Sequence, residues 1–303
     1  MNYAYLNLDN IFLALHELRS LIHGTEKEYY YGVALYDGSE KVAEKSGTIK
    51  KSGVVLAMST DVKDIVDQLR GHCFSVDIDV PMREYKNYAK GVYGEVVSSI
   101  KTSKKCDKLD LIVTEGMIIA GKRASEKDTW SLISHSKRPY TQSGSLNPEL
   151  GRVMVNLSES SQQILDPFVG TGTIMIEGKW LGLNCIGSDI DPSMVYKTLF
   201  NLKHFNYDCE ILQADATFPP MRETESVVTD PPYGRSFSPK GLSDLYEEFF
   251  YSVVELVRGK VVFTTDFKFD WRDALKSSGF KDIQIHTIYE HKSLSRAIYV
   301  VTK

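Results

Sequence analysis

A chain of 303 residues, 42% hydrophobic and 25% charged, has the make-up of a folded globular protein with room for two domains, which excludes a disordered or fibrous one. The net charge of −4 excludes a broadly basic nucleic-acid binder, and no run of about 18 apolar residues marks a membrane-spanning helix. Residues 1–123 carry 17 Lys+Arg and 17 Asp+Glu and the rest 19 against 23, so a polyanionic partner has to be gripped by local patches.

The opening "MNYAYLNLDN" lacks a basic stretch followed by an apolar one, so no secretory leader is expected there. Cys73, Cys106, Cys185 and Cys209 lie far apart with no C-x-x-C pair, which predicts neither a disulfide framework nor a zinc site and fits a reducing cytoplasm. The seven histidines form no H-x-x-x-H pair, and His286 and His291 read as solvated residues around a hairpin. No metal is expected.

In chain order, "AYLNL" alternates like a strand, and Asn10 caps a helix whose Ile11, Leu15, Leu18 and Ile22 keep helical spacing up to Gly24. "YYYGVALY" and "GVVLAM" read as strands, followed by a helix from Thr60 to Gly71. "CFSVDIDV" alternates again, "NYAKGVYGEVVSSIK" suits a helix, and "KLDLIVTEGMIIAGKRA" reads as a hairpin turning at Glu115-Gly116. This α+β texture divides into two small units, residues 1–45 and 46–123. From 124 to 146 the apolar period dissolves into a Ser- and Lys-rich stretch, taken as a linker.

Residues 147–303 change texture. "QQILDPF", "NCIGSDI", "CEILQAD", "SVVTDPP" and "KVVFTTD" are apolar runs suited to buried parallel strands, each followed by a helical stretch. Strand–helix alternation predicts an α/β doubly wound parallel sheet with ligand sites at the carboxyl ends of its strands. The closing "KDIQIHTIYEHKSLSRAIYVVTK" adds a terminal antiparallel hairpin.

The strand ends carry the chemistry. In "DPFVGTGTIMIEG", Gly170 and Gly172 remove side chains where backbone passes close to a ligand, although plain tight turns share this pattern. In "GSDID", Asp189 is placed to accept from the two hydroxyls of a ribose, while Asp191 caps the helix beginning at Pro192. In "QADAT", Asp215 suits either an exocyclic amine such as that of adenine or a turn. The fourth strand ends in Asp230-Pro231-Pro232-Tyr233, an acid followed by rigid carbonyl carriers and a ring.

"DPFVGTG", "SDID", "ADA" and "DPPYG", in this order and spacing, resemble the S-adenosylmethionine-dependent amino-methyltransferases. "KRPYTQSGSLNPELGRVMVNL", the closing "HKSLSRAIYVV" and "VDIDVPMREYKNYAKGVYGEVVSSI" are similar to one branch, the archaeal THUMP-domain tRNA (guanosine-10-N2) methyltransferases. The resemblance is strong over 137–303, looser over 50–125, and one of layout only before residue 45. It implies a Rossmann-like methyltransferase domain over 147–303, a THUMP RNA-binding domain over 46–123, and a ferredoxin-like unit over 1–45.

It further implies S-adenosylmethionine as cofactor, tRNA as partner and a cytoplasmic monomer. For the cofactor it implies Asp166, Phe168, Gly170, Gly172 and Thr173 in the first loop, with Asp189 and Ile190 after the second strand. Asp215 and Ala216 follow the third strand, and Ser145 approaches from upstream. For catalysis it implies Asp230, Pro231, Pro232 and Tyr233. A guanine amine is a poor nucleophile because its lone pair is delocalised into the ring. The Asp230 carboxylate and the Pro231 carbonyl are acceptors that favour charge building on nitrogen, and Tyr233 offers a stacking face to an extracted base.

Residues 81–105 place Arg83, Lys86, Lys90, Lys101, Lys104 and Lys105 among Tyr85, Tyr88 and Tyr93, a pattern suited either to an RNA backbone with unpaired bases or to a solvated helix. The resemblance favours RNA, with Lys137 and Arg138 as a second phosphate contact. DNA adenine or rRNA guanine methylation is the alternative activity, because both amines suit the same acceptors. A non-catalytic RNA-binding protein is the alternative class.

Overall fold

Alternating apolar residues build the eight strands of a first sheet in the computed structural model, which describes residues 1–233, 239–291 and 294–303. Gly234 of the D-P-P-Y-G stretch and Lys292-Ser293 of the closing motif lie outside the described residues. The chain divides into two units, Met1–Asp128 and Thr129–Lys303.

The strands of the first unit are β1 (Asn2–Leu6), β2 (Thr25–Tyr30), β3 (Val33–Asp37), β4 (Ile49–Ser59), β5 (Cys73–Asp79), β6 (Lys101–Thr102), β7 (Asp107–Thr114) and β8 (Met117–Glu126). They lie in the order β2-β3-β1-β4-β8-β7-β5-β6. Its helices are α1 (Ile11–Ile22), α2 (Val62–Leu69) and α3 (Lys86–Ser99). Asn10 caps α1, its side chain accepting from Leu13 N at 3.1 Å, and Ala14, Leu18 and Ile22 bury against Ala4, Leu6 and Tyr36. α2 and α3 lay Ile65, Leu69, Val92 and Val96 on Leu109, Leu111 and Val113 of β7. The β7–β8 turn falls at Glu115-Gly116, with φ of +49° and +80°.

Three expectations are corrected here. "YYYGVALY" is two strands, because Tyr31-Gly32, with Gly32 at φ +82°, turns β2 into β3. The division near residue 45 is crossed by one continuous sheet. β4 pairs with β1 on one edge and β8 on the other, so Val54 faces both Asn2 and Lys122. The third concerns cysteine. Cys73 and Cys106 form a disulfide with Cα atoms 5.7 Å apart. Phe74 pairs with Asp107 across the parallel β5 and β7, so the residues just before them are neighbours; the α3 crossover hides this in the sequence. Cys185 and Cys209 hold the same relation, one residue ahead of the pair Ile186 and Glu210, and remain free thiols.

The second unit contains α4 (Thr129–Ser136), α5 (Pro148–Leu157), β9 (Gln163–Asp166), α6 (Thr173–Trp180), β10 (Asn184–Asp189), α7 (Pro192–His204) and β11 (Glu210–Gln213). These are followed by β12 (Ser226–Thr229), α8 (Pro239–Leu256), β13 (Val261–Asp266), α9 (Arg272–Ser278), β14 (Asp282–His291) and β15 (Leu294–Thr302). The sheet order is β11-β10-β9-β12-β13-β15-β14. β9 to β13 are parallel, and β15 runs antiparallel to both its neighbours. The winding reverses between β9 and β12, which opens a crevice at their carboxyl ends.

The stretch taken as a linker is partly α4, and it is packed into this unit. Its polar residues mimic linker composition, but they satisfy a buried cluster. Glu177 of α6, fully buried, accepts from Arg152 Nε at 2.9 Å and pairs with His135 Nδ1 at 2.7 Å. Arg152 also donates to Ser131 at 2.8 Å and lies 3.7 Å from the Trp180 ring centroid. Glu177→Leu would strand a buried guanidinium, so a loss of about 3–5 kcal/mol of stability is expected in urea titration. A loss below about 1 kcal/mol would show that this cluster does not hold α4 in place.

Candidate active site

β9 and β12 are parallel neighbours, Leu165 opposite Val227, so the loops that leave them diverge from one point. A cavity of about 790 Å³ opens there, and Ser145, Asp166, Phe168, Gly170, Thr173 and Asp230–Tyr233 are among its walls.

Asp166 ends β9, buried, and accepts from Phe168 N at 3.1 Å and from Thr229 Oγ1 at 2.6 Å. Burial pushes its carboxyl up to about 8 despite these two hydrogen bonds. It ties the start of the loop to the neighbouring strand. The Phe168 ring meets Phe249 edge-on at 5.3 Å, anchoring the loop in the core. Gly170 (φ +53°) and Gly172 (φ +84°) turn the chain into α6, and a Cβ on Gly172 would stand 2.9 Å from Thr198 Cγ2. Thr173 Oγ1 donates to the Leu146 carbonyl at 3.2 Å, and Ser145 Oγ lies 3.2 Å from Thr171 Oγ1. The upstream segment is thereby fastened to the glycine loop.

Gly172, Asp189, Ile190, Asp215 and Ala216 do not line this cavity; the last four stand beyond it at the carboxyl ends of β10 and β11. Asp189 accepts from Gly170 N through Oδ2 and from Asp191 N through Oδ1, each at 3.0 Å. Burial raises its carboxyl, which those hydrogen bonds oppose. Asp191 is the cap of α7, accepting from Ser193 N at 2.8 Å with Pro192 at the first position, as its spacing predicts. Ile190 is 67% exposed. Asp215 is exposed and accepts from both the backbone N and Oγ1 of Thr217 at 2.9 Å, the geometry of a turn, with Ala216 buried beside it.

Asp230 follows β12 directly. Its Oδ1 receives Arg296 Nη1 at 3.0 Å and the hydroxyl of Thr264. Pro231 is buried, and Pro232 and Tyr233 are half-buried at the cavity wall. The Arg296 guanidinium lies over the Tyr233 ring, 4.9 Å from its centroid. A carboxylate and a proline-fixed carbonyl at the mouth of a glycine-loop cavity make a site that can receive N–H groups. Thr264, Asp266, Lys268, Phe269 and Arg296 belong to this neighbourhood and carry no motif of their own; the only signal was that Arg296 falls in the closing "HKSLSRAIYVV".

In the first unit, Arg83, Lys86, Lys90, Lys101, Lys104 and Lys105 are exposed. Tyr88 and Tyr93 are 43% and 36% exposed, whereas Tyr85 packs against the α3 core. Lys137 is exposed. Arg138 is corrected: it is buried, donating to Thr171 Oγ1 and the His135 carbonyl at 3.3 Å, so its charge braces the glycine loop and meets no phosphate at the surface. Among the described residues no group of three or more His, Cys, Asp or Glu is arranged to hold a metal, and no helix is long and apolar enough to cross a membrane.

A family model, UPF0020: RMKL-like, methyltransferase domain, matches residues 135–294. The tRNA (guanine(10)-N2)-dimethyltransferase of Pyrococcus abyssi is 31% identical over 95% of this chain and 93% of its own length. The protein of that name from Methanothermobacter thermautotrophicus is 37% identical over 58% of this chain and 55% of its own. The crystal structure of TrmN from Thermus thermophilus covers 100% of this chain and 99% of its own at a TM-score of 0.56 and 18% identity, a likeness of fold.

Proposed function

Since the chain belongs to the UPF0020 family of RMKL-like methyltransferase domains, we propose that it is a cytoplasmic, monomeric enzyme that methylates N2 of guanosine 10 in tRNA, with S-adenosylmethionine as methyl donor. The observation that carries the reading is the juxtaposition of the Asp230–Tyr233 acceptors with the glycine-loop cavity. S-adenosylmethionine, when bound, supplies a methyl group made electrophilic by its sulfonium. The loop fits such a group: a Cβ on Gly170 would have only the Phe168 carbonyl near it, at 3.9 Å, so bare backbone lines the cavity, and Asp189, which accepts from Gly170 N, is a carboxylate suited to a ribose.

The chain's own residues then act on the base. The Asp230 carboxylate accepts one N–H of the guanine amine and the Pro231 carbonyl the other. These acceptors are fixed before the base arrives, so they favour the pyramidal, charge-bearing nitrogen over the conjugated one. The Tyr233 ring, half-buried at the cavity wall, stacks on the extracted base, a contact worth about 1–3 kcal/mol. The exposed lysines and tyrosines of the first unit support a THUMP-type hold on tRNA. The relatives' names, dimethyltransferases, support two successive additions.

Mass spectrometry of tRNA nucleosides after incubation with protein and cofactor tests this reading. N2-methylguanosine or N2,N2-dimethylguanosine at position 10 is expected. Methylated adenine alone, or unmodified tRNA beside a chain that binds cofactor in calorimetry, would reject it.

A further inference from the structure

The first unit shows what strand register can do with two cysteines. Cys73 and Cys106 each stand one residue ahead of the parallel pair Phe74 and Asp107, and they are bridged. Cys185 and Cys209 each stand one residue ahead of the parallel pair Ile186 and Glu210, with α7 between them in the chain as α3 lies between the first two. Neighbouring parallel strands bring such residues to the spacing that a disulfide spans. The register is the same, yet both thiols of the second pair are free.

Their surroundings divide the chemistry between them. Cys185 is 3% exposed, and a Cβ on Gly178 of α6 would stand 2.8 Å from its Sγ, so the helix closes over it. Cys209 is half-buried and opens on a cavity of about 420 Å³, which Lys179, Cys185, Asp208 and Glu210 also line. Its thiol is lowered from the ordinary value by the hydrogen bond with Cys185 and by the Lys179 ammonium, against its burial and the Asp208 carboxylate. Cys185 is raised by the same contact with Cys209 and by its burial.

We propose that Cys185 and Cys209 are a modification site, a dithiol that a low-molecular-weight disulfide converts to a second cross-strand bridge. Cys209 Sγ, as thiolate, attacks one sulfur of RSSR; the mixed disulfide forms, and RS⁻ leaves and takes up a proton. Cys185 Sγ then gives its proton to solvent and attacks the Cys209 sulfur, so the Cys185–Cys209 bond forms and the second RS⁻ leaves. Two protein thiols are oxidised and one small disulfide is reduced to two thiols, so a dithiol reductant reverses the bridge. Among the described residues β11 lies at the edge of its sheet and pairs with β10 alone, so the bridge fastens a strand that has a single neighbour.

The test exposes the reduced full chain to hydroxyethyl disulfide, digests it without reductant and maps the peptides by mass, beside Cys185→Ser and Cys209→Ser. Wild type is expected to yield the Cys185–Cys209 peptide together with the Cys73–Cys106 one, and to lose it on treatment with dithiothreitol. Cys185→Ser is expected to hold one hydroxyethylthio group on Cys209, whereas Cys209→Ser takes up at least about tenfold less on the buried Cys185. The wild-type thermal midpoint is expected to rise on oxidation by about 5 °C more than that of either variant, since both variants keep Cys73 and Cys106. Chains that form the Cys73–Cys106 bridge and leave Cys185 and Cys209 unbridged would overturn the site. Equal labelling of the two variants would overturn Cys209 as the attacking thiol, and equal midpoint shifts would overturn the fastening of β11.

Discussion

Asp230→Ala is expected to lower kcat for methyl transfer by about 10³-fold while the affinity for S-adenosylmethionine stays within about threefold. The size follows from what the carboxylate does. It offers a fixed acceptor where positive charge builds, a role that water in a loosened cavity fills poorly because it must reorient during the reaction. The split between turnover and affinity follows from position: Asp230 stands at the end of β12, whereas the glycine loop follows β9 and Asp189 ends β10. The variant has a second consequence. It leaves Arg296, 4% exposed, without the carboxylate it pairs with, and one-sided removal of a buried ion pair costs about 3–5 kcal/mol. Turnover is therefore measured beside circular dichroism, at a temperature where the variant is folded. A folded Asp230→Ala chain that turns over within about tenfold of wild type would show that another group receives the amine protons.

Much of this site was legible because the strand ends punctuate the sequence. Buried parallel strands read as apolar runs, and each run in the second unit stops at an acid or a glycine where the next element begins. Asp191, followed by Pro192, announced the cap of α7 and left Asp189 for other work. The acid of D-P-P-Y was visible, but its support was not. Thr264 and Arg296 reach Asp230 from β13 and β15, 34 and 66 residues away in the chain, and threonine and arginine inside strands carry no local signature. The same limit hid the Cys73–Cys106 disulfide, since a parallel pair with a helical crossover separates partners by 33 residues. Composition misled in the opposite direction at 129–138. Ser131, His135 and Arg138 look like linker residues because polarity is what the sequence shows, whereas their respective partners Arg152, Glu177 and Thr171 come from segments not yet reached.

Charge reversal at Lys86 and Lys90 together is expected to weaken tRNA binding by at least about tenfold and to flatten the slope of log K against log salt by about two. The two lysines are four apart on α3, so they share a face, and Tyr93 continues it, while Ala89, Val92 and Val96 bury the adjoining face, about 90° around the helix. Arg83 extends the basic line from the 3₁₀ turn Arg83–Tyr85 just before the helix. Residues 1–123 balance 17 basic against 17 acidic residues, so no general field of that unit draws RNA in, and what binding there is must come from contacts such as these. Each contact releases counterions, which is why the salt slope distinguishes a lost phosphate contact from a misfolded surface. The control is Lys203→Glu on α7, exposed in the second unit. In the double reversal KM for tRNA should rise while kcat at saturating tRNA holds within a few fold, because the cavity that holds Asp230 belongs to the other unit. Unchanged affinity with an unchanged slope would mean that the α3 face is a solvated helix and that tRNA is gripped elsewhere. A fall in kcat with binding intact would mean that α3 acts on how the base is delivered, a role that phosphate contacts alone do not supply.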